Sequence, residues 1–258
     1  MPKSKNRDWS REEHILAFNL YCKIPFGTIH MRNPRIIELA ELLGRSVGAV
    51  SYKLANFARL DPMLQSRGIR GMAHGAKGEQ EVWDEFAANG EKLAYESEKL
   101  LAERTGTPLA QMAEIDESEL PEEGLDRERL VKTRVNQRFF RAVVLASYNF
   151  RCCVSGLAVP PLLVASHIVP WSLDAKNRMN PRNGLCLNAL HDRAFDRGLM
   201  TVTADFKVKI SDTLKPTSKA DEEPLGWLQR FDGATLILPK KFPPDAALLE
   251  LHRKRWNG

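Results

Sequence analysis

Residues 164–199 constrain the fold more than any other part of the chain. His167 follows a short apolar run that favours a β-strand, and Asn183 lies in a segment rich in turn-forming residues. His191 comes eight residues later, where the spacing of apolar residues becomes helical. This order predicts a strand, a long loop, a second strand and a helix. Such a fold would bring two imidazoles and one amide close together.

The residues around these three positions form three sequence blocks. They read A-S-H-I-V-P around His167, N-P-R-N-G-L-C-L around Asn183 and H-D-R-A-F-D-R-G-L from His191 onward. In this order they resemble the HNH (ββα-metal) endonucleases. The most similar branch of that family has the motifs A-S/A-H-I-x-P, N-x-x-N-G-L-x-L and H-x-x-F-D-x-G-L. The resemblance implies a nuclease domain that hydrolyses DNA phosphodiester bonds with a divalent metal ion.

The resemblance also implies a role for each candidate residue. His167 would be the general base, and His191 would be the first metal ligand. Asn183 would either brace the loop between the strands or bind the metal. Asp196 lies five residues beyond His191, which is 140° around a helix, so it either reaches the ion where the helix ends or orients an imidazole. The candidate catalytic residues are therefore His167, Asn183 and His191, and the candidate metal ligands are His191, Asn183 and Asp196.

Two further expectations concern metal ions. A site with one imidazole and several oxygen ligands would suit Mg²⁺ or Mn²⁺. Many HNH relatives also hold a structural zinc with two C-x-x-C pairs, but here a Ser or Gly stands where the second thiolate of the first pair is needed. Four zinc ligands cannot be assembled, so we expect no structural zinc. We expect buried, reduced thiols at the four cysteines, which are Cys22, Cys152, Cys153 and Cys186.

The N-terminal part predicts three short helices. A capping box at Ser10 and Glu13 opens the first, Pro34 begins the second, and Ser46 caps the third. This pattern resembles Myb-type and related helix-turn-helix units, which implies DNA binding. The third helix would then expose DNA-contacting side chains, for which the candidates are Arg45, Lys53 and Asn56. The alternative is a small helical domain that only packs against the nuclease or a partner.

Charge divides the chain between these two parts. Residues 109–128 hold eight acidic residues and one basic residue, which predicts a linker. The sequence beyond it is basic, and Arg134, Arg138 and Arg141 share one face of a predicted helix. Such a stripe favours contact with phosphates. We therefore predict an α+β protein with a trihelical DNA-binding domain at 1–105, an acidic linker at 106–126 and a ββα-metal nuclease domain at 127–258.

Composition bounds the remaining possibilities. The chain has 258 residues, is 43% hydrophobic and carries a net charge of +5. Neither an apolar run long enough to span a membrane nor a secretion signal is visible, so a cytoplasmic location is expected. DNA is the expected partner, and restriction or defence is the setting that the resemblance implies. One site cuts one strand, so a double-strand break needs a homodimer or two successive events.

Two alternatives to a DNA nuclease stay open at this point. The first is a helix-turn-helix DNA-binding protein whose HNH domain is degenerate and non-catalytic. The second is RNA as the substrate, because the motif recognises phosphate geometry and not the sugar.

Overall fold

The chain folds into two compact units, Met1–Val143 and Val144–Gly258. The computed structural model describes residues 7–68, 77–115 and 124–257. Within these ranges the first unit is helical, and the second combines helices with two small antiparallel sheets. The predicted α+β class is therefore confirmed. None of the described helices is both long enough and apolar enough to cross a membrane.

Helices of the first unit begin where the sequence provides caps. Ser10 forms the predicted capping box with Glu13, Ser46 caps the third helix, and Gly44 ends the second helix with a positive φ of 62°. The helices are α1 (Arg11–Lys23), α2 (Pro34–Leu43), α3 (Val47–Leu60), α4 (Pro62–Ser66), α5 (Lys77–Phe86), α6 (Gly90–Thr105), α7 (Leu109–Met112) and α8 (Leu125–Ser147).

The polar side chains expected to face DNA from α3 point into the helical unit instead. Lys53 and Asn56 are only 5% and 2% exposed, and both donate hydrogen bonds to the buried carboxylate of Glu79. Arg45, just before α3, is held in the same way, with its Nη2 2.7 Å from Oε2 of the buried Glu13. The prediction that the third helix exposes Lys53 and Asn56 is wrong, because each buried carboxylate needs a cation or donor beside it.

The boundary between the units also differs from the predicted one. It falls after Val143, inside α8, and not within residues 106–126. Val135 and Phe139 of α8 are buried in the first unit, where the Phe139 ring lies 5.3 Å from Nζ of Lys23. Apolar packing therefore keeps most of this basic helix with the N-terminal helices.

The expected acidic linker has structure in its described part. It contains α7, and Ala113 and Ile115 are buried. Residues 116–123 of this segment lie outside the described residues.

Two strands and a helix form the centre of the second unit. They are β1 (Leu163–His167), β2 (Gly184–Asn188) and α9 (Ala189–Asp196), and His167 pairs with Gly184 in the antiparallel register. This is the strand, loop, strand and helix order predicted from sequence. The elements that follow are β3 (Met200–Val202), β4 (Val208–Ile210), α10 (Lys219–Gln229) and α11 (Ala246–Asn257).

The apolar residues up to Leu238 suggest a short strand in the sequence, but residues 227–238 contain no strand in the structure. Trp227 lies in α10 instead, and only Thr235 makes an isolated bridge, to Lys207. Ser218 at the N-cap position and the acidic first turn of α10 favour a helix there.

The buried pair in the first unit gives a stability prediction. Replacing Lys53 with Ala should destabilise the protein by about 3–5 kcal/mol, because Glu79 would stay buried without its cation. Ser51→Ala on the same helix is the control and should change stability by less than about 0.5 kcal/mol. Thermal unfolding followed by circular dichroism measures both. A Lys53→Ala protein that melts normally but binds DNA weakly would restore the DNA-contact interpretation.

Candidate functional site

Asn183 holds the loop between β1 and β2 closed. Its side chain is fully buried, and Oδ1 accepts a hydrogen bond of 2.8 Å from the backbone N–H of Val169. Its Nδ2 donates to the carbonyl oxygens of Val169 at 3.0 Å and Asn177 at 3.1 Å. Of the two roles that the sequence left open, this geometry supports bracing of the loop.

His167 ends β1 at the mouth of this loop. Its ring is half-buried, and Nε2–H donates to the carbonyl oxygen of Arg178 at 3.0 Å. In the neutral ring this contact places the lone pair on Nδ1. Burial lowers the pKa of His167, while the Arg178 carbonyl and the charge of Asp196 partly oppose that shift. The imidazole is therefore suited to accept a proton near neutral pH.

Two carboxylates of α9 interact with residues at the end of β1. Asp192 and Asp196 are four residues apart and so share one face of the helix. Asp196 interacts electrostatically with His167. Asp192 interacts with Ser166, the residue that precedes His167 in β1. Burial raises the pKa of Asp192, the Ser166 hydroxyl opposes this, and the like charge of Asp196 adds to it. The charge of Asp196 thus acts both on the imidazole of His167 and on the second carboxylate, Asp192.

His191 faces a different environment. Its side chain is fully buried, with Nδ1 3.3 Å from Sγ of Cys152 and 3.2 Å from Nδ2 of Asn188. The ring stacks on Trp227 at a centroid distance of 5.1 Å and meets Phe231 edge-on at 4.9 Å. These contacts place His191 in the apolar interior of the second unit, and none of them involves the residues around His167.

Asp192 is the site residue that the sequence analysis missed. The related motif has two residues between its His and Phe, whereas three residues separate His191 from Phe195 in this chain. At the motif's spacing, the His of the motif falls three residues before Phe195, where this chain has Asp192. The sequence therefore contained the signal, which was the number of residues counted back from Phe195.

The carboxylate pair fits a divalent ion. Mg²⁺ is commonly held by one or two carboxylates together with waters and substrate phosphates, so Asp192 and Asp196 could bind such an ion without a third protein ligand. Among the described residues, no three His, Cys, Asp or Glu side chains cluster closely enough to form a complete metal site.

The cysteines match the expectation of buried, reduced thiols. All four are buried, and none forms a disulfide. Burial raises the pKa of Cys153 far above its ordinary value, and the neighbouring Cys152 and Cys186 add to the shift. The Cys153 thiol is therefore protonated and forms part of the packed interior.

The basic stripe of α8 is exposed as the sequence predicted. Arg134, Arg138 and Arg141 are all exposed, and Arg138 forms an ion pair with Glu114 at 2.6 Å. These arginines belong to the first compact unit, whereas His167 belongs to the second.

Buried histidines of the second unit give a prediction about pH. Burial lowers the pKa of His191 and of His252 to about 4, with nearby Arg230 and Arg255 adding to the effect. Between about pH 6.5 and pH 4 the unfolded chain therefore binds more protons than the folded chain. Stability should fall as the pH is lowered through this window.

A single substitution tests how much His252 contributes to this pH dependence. His252→Phe keeps an aromatic ring against Phe195 and should flatten the dependence of melting temperature on pH between 6.5 and 4.5. His30→Phe, at an exposed position, is the control and should leave the dependence unchanged. Equal slopes for the wild type and His252→Phe would contradict the assignment.

Comparison with known proteins agrees with the central segment of the site. Residues 152–203 match a family model described as HNH endonuclease. No curated protein matches the chain. The matched segment runs from Cys152 past β3 and contains His167, Asn183, His191 and both carboxylates, which supports assigning this segment to the HNH endonucleases.

Proposed function

We propose that this protein is a metal-dependent DNA endonuclease with His167, Asp192 and Asp196 at its reaction centre. The observation that carries the proposal is an imidazole of fixed tautomer that interacts with the charge of Asp196, within a segment that matches HNH endonucleases. Restriction or defence is the biological setting that we propose.

His167 would act as the general base. Phosphodiester hydrolysis needs a nucleophile, charge stabilisation at phosphorus and help for the leaving oxygen. With Nε2–H bound to the Arg178 carbonyl, Nδ1 would take the proton of the attacking water. The carboxylate of Asp196 favours the imidazolium that results. Asn183 would act through the loop, because it holds the chain that carries the Arg178 carbonyl.

Asp192 and Asp196 would hold the metal ion, and His191 and Asn183 would not. The carboxylate oxygens of Asp192 and Asp196 suit Mg²⁺ or Mn²⁺. When bound, such an ion supplies positive charge to the scissile phosphate and the leaving oxygen. Burial and the like charge of Asp196 raise the pKa of Asp192, and a bound cation would oppose that shift.

The helical unit would contribute DNA binding through α8. Its exposed arginines present positive charge to phosphates, and contacts of this kind bind DNA without reading its sequence. The burial of Lys53 and Asn56 removes two candidate base-reading side chains from α3.

Removal of the base tests the reaction. His167→Ala should reduce the rate of plasmid cleavage by about 10²–10⁴-fold, because no other group would take the proton from water. DNA binding in EDTA should stay at the wild-type level. His30→Ala is the matched control, since it removes an exposed histidine of the other unit. Near-normal turnover by the His167→Ala protein would reject the assignment.

The carboxylates can be tested separately from the base. Asp192→Asn and Asp196→Asn should each weaken activation by Mn²⁺ by at least the roughly 10–100-fold that loss of an outer-shell partner costs. EDTA should abolish wild-type cleavage. Asp205→Asn, in an exposed turn, is the control. Unchanged Mn²⁺ activation in both variants would place the ion elsewhere.

The arginines of α8 should affect binding alone. Substituting Gln for Arg134, Arg138 and Arg141 together should reduce the slope of log DNA affinity against log salt by about 2–3 units. The loss of binding affinity should be similar for any DNA sequence. Lys99→Gln, which removes an exposed charge from α6, should have no such effect. An unchanged slope in the arginine variant would exclude α8 from the DNA footprint.

A further inference from the structure

The last turn of α11 packs against the end of α9, next to Asp196. The His252 ring stacks on the Phe195 ring at a centroid distance of 3.7 Å, and its Nε2–H donates to the Phe195 carbonyl oxygen at 3.1 Å. Gly198 has a positive φ of 69°, and a Cβ atom there would lie 2.3 Å from the Trp256 ring. The C-terminal helix therefore packs against Phe195 and Gly198, which flank Asp196 in the chain.

Positive charge gathers around this contact. Arg193 and Arg197 are exposed near the end of α9, and Lys254 and Arg255 are exposed at the end of α11. The guanidinium of Arg255 lies 5.0 Å from the centroid of the Trp256 ring, which is itself 37% exposed.

Acidic neighbours offset this charge only in part, since Asp192 interacts with Arg193 and Glu250 interacts with Lys254. Glu250 of α11 is bound by Arg253, with Oε1 2.8 Å from Nη2. Asp192 and Asp196 are the carboxylates that we assign to the metal ion. The exposed cations at the ends of α9 and α11 therefore remain available to an anion.

The chemistry of the site calls for such cations. Two carboxylates repel a DNA phosphate, and a bound divalent ion offsets this only at the scissile group. Phosphates on either side still approach negative side chains. Cations on the adjacent turn would reduce that repulsion, and an exposed tryptophan among cations is typical of surfaces that bind nucleic acids.

We propose that Arg197, Lys254, Arg255 and Trp256, which we call the α11 rim, bind the phosphodiester backbone beside the scissile phosphate. This inference rests on the proposed endonuclease function and extends it to how the substrate is held. The rim supplies affinity and position, and the chemistry stays with His167 and the carboxylates.

Charge removal in the full-length chain tests the rim. In EDTA, binding of a fluorescein-labelled DNA duplex is measured by anisotropy over a series of salt concentrations. Lys254→Gln/Arg255→Gln should reduce the slope of log affinity against log salt by about 1.8 units, or about 0.9 per phosphate contact. With Mg²⁺ present, its KM for cleavage should rise while kcat stays at the wild-type value. Both substitutions are at exposed positions, so folding should be preserved.

A matched variant controls for net charge. Lys207→Gln/Lys209→Gln removes the same charge from the same unit, where both lysines already pair with aspartates. Its salt slope should equal that of the wild type. If the rim variant also keeps the wild-type slope and only melts at a lower temperature, its cations merely complement the helix dipole and the proposal is overturned.

The two proposals fail in different ways. A reduced salt slope in the rim variant, together with no cleavage by the wild-type protein in Mg²⁺ or Mn²⁺, would support the rim and reject the endonuclease. A wild-type protein that cleaves DNA, with an unchanged slope in the rim variant, would reject the rim alone.

Discussion

The rotation of α9 about its own axis decides which of its side chains face His167 and the rest of β1. Asn188 caps the helix, with Oδ1 2.8 Å from the backbone nitrogen of His191. His191 and Phe195 are four residues apart, and both are fully buried. Successive residues of a helix are rotated by 100° about its axis. The residues that directly follow His191 and Phe195 therefore point to a different face of α9. Asp192 and Asp196 therefore share the face that lies beside β1.

The loop between the strands fixes the other half of the site. Asn183 is buried at its end and holds the backbone of Asn177 with a side-chain hydrogen bond of 3.1 Å. The next residue, Arg178, offers its carbonyl oxygen to Nε2 of His167. The buried amide thus sets the position of the acceptor that selects the tautomer of the imidazole. In the proposed mechanism Asn183 therefore acts indirectly, through the acceptor that leaves Nδ1 of His167 as the base.

Local signals in the sequence predicted much of this fold. Ser10, Pro34 and Ser46 located the starts of three helices, because caps act within a few residues. Burial of Lys53 could not be read in the same way, since its partner Glu79 lies on another helix, 26 residues away.

The site itself was predicted in part. The positions of His167 and Asn183 follow from their strand and turn contexts. The orientation of α9 depends on packing of His191 against α10 and of Phe195 against α11, which no local pattern reveals. The unit boundary was missed for a related reason, because the basic sequence of α8 gives no sign that its apolar face belongs to the first unit.

The position of the metal ion tests the central claim most directly. Crystals of the protein soaked in Mn²⁺ would give an anomalous difference peak at the ion. We predict a peak within about 2.0–2.4 Å of carboxylate oxygens of Asp192 and Asp196, on the same side of α9 as His167. A peak bound to Nε2 of His191, with neither carboxylate in its coordination shell, would contradict the account.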